Sequence, residues 1–325
     1  MKIHPFGGNL PSARNREGGR LVVPVMTRTR GLLTAAAVPL ILMAGCARPD
    51  TAGEAGSASV ATEPITESAS APAGDPAVLI RIAQEGGFVP AQFVYSRIPQ
   101  LTVYADGRVI TEGPVPAIAP GPALPNLQVL KLTPARAQQW ADDALKAGVK
   151  TGADLGQPGV ADIPDTVITA TSGGKTETVR VMALDHAQAT DPNLSAAQQA
   201  ARAKLRAYVE ELNKLTVETG SPASESYRPA ELAALAWPYV AGDDGLNQPA
   251  QAWPGPALPG EELPPAGTGL TCVAVSGDAA GTVWAAAEKA NQRTPWTSGG
   301  KQYSVTFRPL LPDETGGCAA LKEAK

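Results

Sequence analysis

TSGGKTETVRVMAL at 171–184 and TSGGKQYSVTFRPL at 297–310 open on the same five residues. Three readings compete: a catalytic Ser-x-x-Lys pair, a glycine loop for phosphate, and a turn used twice. A catalytic pair needs its serine at a helix start, so that serine and lysine share one face a turn apart. Here Gly-Gly separates them, and the residues that follow alternate. Tyr303, Val305 and Phe307 fall on one side, and Gln302, Ser304 and Thr306 on the other, which is strand periodicity. A phosphate loop would run into a helix, and neither copy does. Gly-Gly between β-rich arms is a hairpin turn, because glycine takes positive φ at little cost. Both copies therefore predict hairpin turns, the first within TVITATSGGKTETVRVMAL at 166–184 and the second opening TSGGKQYSVTFRPLL at 297–311.

Upstream of each hairpin lies a short strand, then a helix carrying a tryptophan, Trp140 or Trp284. Seven of fourteen aligned positions match, including Val179 with Val305 and Leu184 with Leu310, but five of the seven lie in the turn itself. Two related strand–helix–hairpin units and convergence on a favoured turn both remain open.

The other elements read as follows. VLIRIAQ has strand composition, and LTVYADGRVIT predicts a hairpin with Asp106-Gly107 as a type I′ turn. PGPALPNLQVLKL is a proline-punctuated loop and a short strand. Thr133-Pro134 starts a helix that Gly148 stops, with Ala137, Trp140, Ala141 and Ala144 on one face. Ser195 and Gln198 form a capping-box pattern ahead of a helix to about Leu215, whose apolar stripe is Ala201, Leu205, Tyr208, Leu212 and Leu215. YRPAELAALAWPYV is ambiguous between a short helix and an edge strand, and its two flanking prolines favour the edge strand. LTCVAV predicts a strand, and DAAGTVWAAAEKAN a helix capped by Asp278. The fold class is α+β, a mainly antiparallel sheet with two or three packed helices. Within residues 77–325 the expected lobes are 77–241 and 268–320, joined by a proline-rich linker at 246–267.

The first 76 residues are set apart from the fold. MTRTRGLLTAAAVPLILMAGC at 26–46 carries Arg28 and Arg30, then an apolar run of signal-peptide length. It is too short to span a bilayer comfortably. The run ends in Leu-Met-Ala-Gly-Cys, which resembles the lipobox of bacterial lipoproteins. That resemblance implies cleavage between Gly45 and Cys46 and a diacylglyceryl group on Cys46. Met43 stands where leucine is usual. Residues 1–25 have no role in such a signal, which points to a start at Met26 or to a long n-region. Residues 46–76, rich in Ala, Ser, Thr, Pro and Gly, have little to bury and read as a disordered tether.

Residues 1–45 hold six of the 27 Lys and Arg and one of the 31 Asp and Glu, so the remainder carries 21 basic and 30 acidic residues, a formal net of −9. That balance argues against a nucleic-acid partner. The remainder keeps one histidine, His186, and, beyond Cys46, two cysteines, Cys272 and Cys318. An even pair in an exported chain predicts a disulfide that pins the tail TGGCAALKEAK to the strand TCVAV. A metal site would need carboxylate help and lacks ligand spacing.

Other chemistry reads weakly. Asp185-His186 follows a strand end as a catalytic pair or, more simply, a surface loop. Asp243-Asp244-Gly245 lacks the spaced ligands of a calcium loop and reads as a turn. Trp253, in QAWPGP, is either exposed in the linker or tucked against the domain. No Gly-x-Ser-x-Gly, zinc-binding His-Glu pair or dinucleotide fingerprint is present, so no catalytic, metal or cofactor residue is named.

GGFVP at 86–90, YADGRVI at 104–110, RPLLPDE at 308–314 and the pair Cys272 and Cys318 resemble a family of uncharacterised lipoproteins exported by high-GC Gram-positive bacteria. The resemblance covers most of residues 77–318 and implies no activity. Together these readings predict a lipid-anchored protein on the extracytoplasmic face of the cell membrane that binds or scaffolds an envelope protein or polymer without a cofactor. The alternatives are an inhibitor of secreted enzymes and an envelope hydrolase with an acidic site. A deep acidic cleft would favour the hydrolase; an exposed aromatic or proline loop would favour a binder or inhibitor.

Overall fold

The computed structural model describes residues 77–186, 190–217 and 224–323; the predicted cleavage at Gly45–Cys46, the lipid site Cys46 and the 46–76 tether lie outside them. Both TSGGK copies are hairpin turns. Gly173 and Gly174 have φ of 57° and 76°, and Gly299 and Gly300 have 57° and 75°. Two consecutive positive φ angles in a two-residue loop make a type I′ turn, whose twist matches that of its strands. Ser172 pairs with Lys175, and Ser298 with Lys301, across the strands. A β-branched residue resists positive φ, so Gly299→Val should lower the melting temperature more than Ser172→Ala or Ser298→Ala, which remove side-chain hydrogen bonds and should leave the fold intact. Thermal melts of the three variants check this.

In chain order the first part contains β1 (Val78–Glu85), a short helix α1 (Ala91–Ser96), β2 (Leu101–Tyr104), β3 (Arg108–Glu112), β4 (Leu127–Lys131) and α2 (Pro134–Ala147). β5 (Asp165–Ser172), β6 (Lys175–Met182), α3 (Ala196–Val217) and β7 (Glu225–Ser226) complete it. Its strands form one antiparallel sheet in the order β6-β5-β1-β2-β3-β4-β7. α2 and α3 cover one face, where Trp140, Ala141, Leu205, Tyr208 and Leu212 pack on Ile80, Ile82, Val103 and Ile168.

The helix ends obey their local chemistry. Thr133 accepts from the Arg136 N–H at 3.2 Å, Pro134 occupies the first turn, and Gly148 ends α2 at φ 109°. At α3 the Ser195 N–H donates to Gln198 at 2.9 Å and the Gln198 N–H to Ser195 Oγ at 3.2 Å, a closed capping box. Of the predicted α3 stripe, the side chain of Leu215 lies outside the described residues.

The β2–β3 turn differs from its prediction. Gly107 has φ 89°, but Asp106 keeps a negative φ, and the Gly107 N–H closes on the Tyr104 carbonyl at 3.0 Å. The loop is a type I turn followed by a left-handed glycine, not type I′. Asp106 instead caps Arg108, taking its N–H at 3.0 Å and its Nε at 2.7 Å.

The second part contains β8 (Glu231–Pro238), β9 (Gln251–Ala252), β10 (Glu261–Glu262), β11 (Thr271–Ser276) and α4 (Gly277–Ala287), then β12 (Trp296–Ser298), β13 (Lys301–Pro309) and α5 (Cys318–Glu323). The sheet order is β10-β11-β8-β13-β12-β9, antiparallel except for β12 with β9. α4 packs on one face over a cluster in which Trp253 and Trp296 meet edge to face, with ring centroids 5.6 Å apart, and Phe307 stacks on Trp253 at 6.2 Å. α4 begins at Gly277, so Asp278 sits in the first turn, where its charge meets the helix N-terminus, and Ser276 holds the cap position.

Three expectations change here. β8 is an interior strand, paired on both sides by β11 and β13, with residues 232–236 buried; its prolines fall at the ladder ends, where no N–H is missed. Residues 246–267 are not a free linker. They supply β9 and β10 and bury Trp253, Leu258 and Leu263, and the two sheets divide between Ser226 and Glu231. Finally, the two hairpins enter their sheets by opposite strands: β5, the first arm, pairs with β1, whereas β13, the second arm, pairs with β8. The shared turn therefore sits in two different wirings.

The inner faces of the two sheets meet around residues 308–314. Leu310 packs with Leu235, Cys272 and Tyr95, and Leu311 with Tyr104, Ile110 and Tyr227. Polar side chains from the same stretch lock the joint. Arg308, 2% exposed, donates to Glu314 at 2.7 Å and to the Arg97 carbonyl at 2.9 Å. Asp313 accepts from Arg81 at 2.5 Å and from the Tyr104 hydroxyl at 2.7 Å. Burial, then the Asp313 hydrogen bond, push the Tyr104 phenol far above its ordinary value, so it stays a donor. Cys272 and Cys318 are placed as a disulfide, with Cα atoms 5.9 Å apart, and tie α5 to β11.

Candidate functional site

The features singled out in the sequence are not brought together. Ser172 and Lys175 are strand partners, but their side chains part: the Ser172 hydroxyl donates to Asp142, which also accepts from Gln138 at 3.1 Å, and these two hydrogen bonds hold Asp142 below the usual carboxylate range. Lys175 pairs with Glu177, whose carboxyl is pulled down to about 2 by that contact and the Thr151 N–H. In the other copy, Ser298 Oγ accepts the Leu258 N–H at 3.1 Å. Among the described residues neither serine is hydrogen-bonded to a histidine or a lysine, and the carboxylate that Ser172 meets is held as a weak base. Asp185 and His186 are both exposed in the turn after β6, with no hydrogen bond between their side chains. Asp244 caps the Leu246 N–H at 3.1 Å and pairs with Arg293 at 2.5 Å, a turn as predicted. Among the described residues no group of three or more His, Cys, Asp or Glu is placed to hold a metal ion.

The concave surface lies elsewhere, around α1. Gly86 and Gly87, at φ 67° and 76°, end β1 and turn the chain, and Pro90 opens the helix. The helix is short because Ile98 precedes Pro99, which disfavours the helical region there. Its side chains face two ways. Tyr95 is buried, and its hydroxyl donates to the Pro264 carbonyl at 2.8 Å, fixing the helix on the second part of the domain. Phe93, by contrast, is 55% exposed.

Phe93 borders a groove of about 610 Å³ whose far wall is the proline-rich loop 113–125. Val115 and Ile118 on that loop are 66% and 63% exposed, and Trp237 and Phe307 close the floor. A second hollow shares Phe93, Ser96, Ile98 and Glu112 with the first. Glu112 keeps solvent contact, yet the walls desolvate it and raise its carboxyl, with Arg308 opposing. On the other side of α1 opens a cleft of about 460 Å³ that shares Gln84, Arg97 and Ile98 with the second hollow. It is lined by Arg81, Arg97, Arg180, Arg308, Glu85 and Glu314, with apolar walls from Ala83, Val94, Pro99 and Leu321. The three hollows form one path around the helix.

No family model matches the chain, and no curated protein or solved structure shows significant similarity to it. GGFVP at 86–90 and RPLLPDE at 308–314 both contribute to this surface, through Gly86 and Val89 on one side and Arg308 and Glu314 on the other. In the sequence Arg308 stood out only as a charge among Phe307, Leu310 and Leu311, and nothing there pointed to a site.

Proposed function

We propose that this protein is a lipid-anchored extracytoplasmic binding module that engages an envelope partner through the groove between α1 and the 113–125 loop. The observation that carries this reading is the grouping of Phe93, Val115 and Ile118, all well exposed, beside the half-buried Trp237. Large apolar side chains rimming a concavity are costly to leave in water and mark a contact surface. An exposed proline-rich loop opposite an aromatic side chain supports a binder, and Glu85 and Glu314 in the neighbouring cleft are each held by an arginine. The anchor rests on the lipobox-like run ending at Cys46. Among the described residues no helix is long and apolar enough to cross a membrane.

One set of variants tests both halves. Cys46→Ser should move the protein out of the membrane fraction or leave it unprocessed; unchanged processing and an unchanged membrane fraction would defeat the anchor. Phe93→Asp with Ile118→Asp touches exposed positions, so the fold should survive. Pull-downs from envelope extract should lose the bands that the parent protein retains. Identical capture by parent and variant, at equal melting temperature, would remove the groove from the function.

A further inference from the structure

We infer that the arginine cleft beside α1 binds a monocarboxylate carried on a small apolar body, with Arg97 as its anchor. The inference rests on the binding-module reading and names a ligand class for the adjoining cleft. Its volume, about 460 Å³, is in the range of small-molecule sites. Four guanidiniums line it, but three are already neutralised. Arg81 pairs with Asp313, Arg180 with Glu85 and Asp165, and Arg308 with Glu314. Arg97 differs. Its Nη1 donates to the Gly86 carbonyl at 2.7 Å and, at 3.5 Å, to that of Gln84, and no described residue accepts from its Nε or Nη2. No carboxylate among the described residues forms an ion pair with it, although every other arginine of the cleft has one.

The carbonyl contacts hold this guanidinium still without cancelling its charge. Its backbone is fixed too, since the Arg97 carbonyl accepts Arg308 Nε at 2.9 Å. A half-buried, preoriented guanidinium with an open edge matches a carboxylate, which takes two parallel N–H···O bonds. One unpaired positive charge calls for one negative charge. Glu85 and Glu314 share the lining and would repel a dianion such as a phosphate monoester. Ala83, Val94, Ile98, Pro99 and Leu321 supply apolar walls for the rest of the ligand. Tyr95 lines the cleft, but its hydroxyl is engaged by the Pro264 carbonyl, so few neutral polar groups are left to recognise a sugar.

The test uses the purified full chain and two neutral-pH probes of the same shape, phenylacetate and phenylacetamide, followed by calorimetry or ligand-observed NMR. Phenylacetate should bind at least about tenfold more tightly than the amide, the scale of one charge-assisted contact. Arg97→Gln should bring phenylacetate to the affinity of the amide. Val94→Trp, which fills the cleft and leaves Arg97 in place, should lose both probes. Titrating acetyl-Ala-Phe with a free carboxylate beside phenylacetate then separates a peptide C-terminus from a free acid as the source: the tighter of the two names it. Equal affinity for acid and amide, or full phenylacetate affinity in Arg97→Gln, overturns the inference. If phenylacetate fails to bind while Phe93→Asp with Ile118→Asp still abolishes capture, the carboxylate site falls and the binding module stands. If phenylacetate binds through Arg97 while that double variant captures normally, the groove falls and the cleft stands.

Discussion

Glu314→Ala is expected to lower the free energy of unfolding by about 3–5 kcal/mol, the scale for removing one partner of a buried ion pair. Arg308 is 2% exposed and among the described residues has Glu314 as its carboxylate partner, at 2.7 Å. The same carboxylate accepts the Leu311 N–H at 2.8 Å, so the substitution also strands a backbone donor. Urea denaturation of the variant measures the loss. The companion double variant Arg308→Met with Glu314→Ala should recover only part of it. The charge is gone, but the carbonyls of Arg97 and Pro309 lose the donors that Arg308 gave them. A loss below about 1 kcal/mol for Glu314→Ala would mean that the pair behaves as a screened surface contact.

Reducing the Cys272–Cys318 bridge should cost about 4 kcal/mol, the restriction that a cross-link over 46 residues places on the unfolded chain. For a domain of this size that corresponds to a melting temperature lower by about 8–16 °C. The bridge serves stability rather than redox exchange. Both cysteines are buried, one in β11 and the other at the start of α5, with no Cys-x-x-Cys spacing. Besides the bridge, Leu321 in the core and the Lys322–Glu261 pair at 3.0 Å hold α5. Mapping without reductant should recover the two cysteine peptides linked. Two free thiols in folded protein would refute the bridge, and an unchanged melt after reduction would refute its stabilising role.

Local chemistry was legible in the sequence wherever a few neighbouring residues decide the outcome. Gly-Gly in both TSGGK copies, the Ser195–Gln198 box and the Thr133-Pro134 start each encode their own geometry. The α+β antiparallel class follows from them. What could not be read is what depends on partners far along the chain. Composition marked 246–267 as a linker because prolines and glycines suit irregular paths, but such paths also pack: Trp253 is stacked in the core and donates to the Pro256 carbonyl at 2.6 Å. β8 looked like an edge because its prolines were weighed without knowing that they cap the ladder ends. Arg202 gave no signal at all. It sits on the otherwise apolar side of α3, buried, and donates to the Leu155, Met182 and Ala183 carbonyls. The candidate site was invisible for the same reason. Phe93, Ile118, Trp237 and Arg308 come from four separate segments and meet only in three dimensions.

The joint at 308–314 also sets a clock. Asp313 meets Arg81 across 232 residues and Tyr104 across 209, so β1 and β2 are made long before their inner-face partners exist. Until the last few residues are available, the first sheet presents an unanswered guanidinium and phenol on the face where its sister will dock. Contacts of such sequence separation form late and slowly. A nascent or clipped chain that stops short of Leu310 would hold the strands of both sheets, with the polar groups of their joint still unmet. A cut between β13 and Asp313 would thus part the two sheets at the contacts that Asp313 and Glu314 make with Arg81, Tyr104 and Arg308.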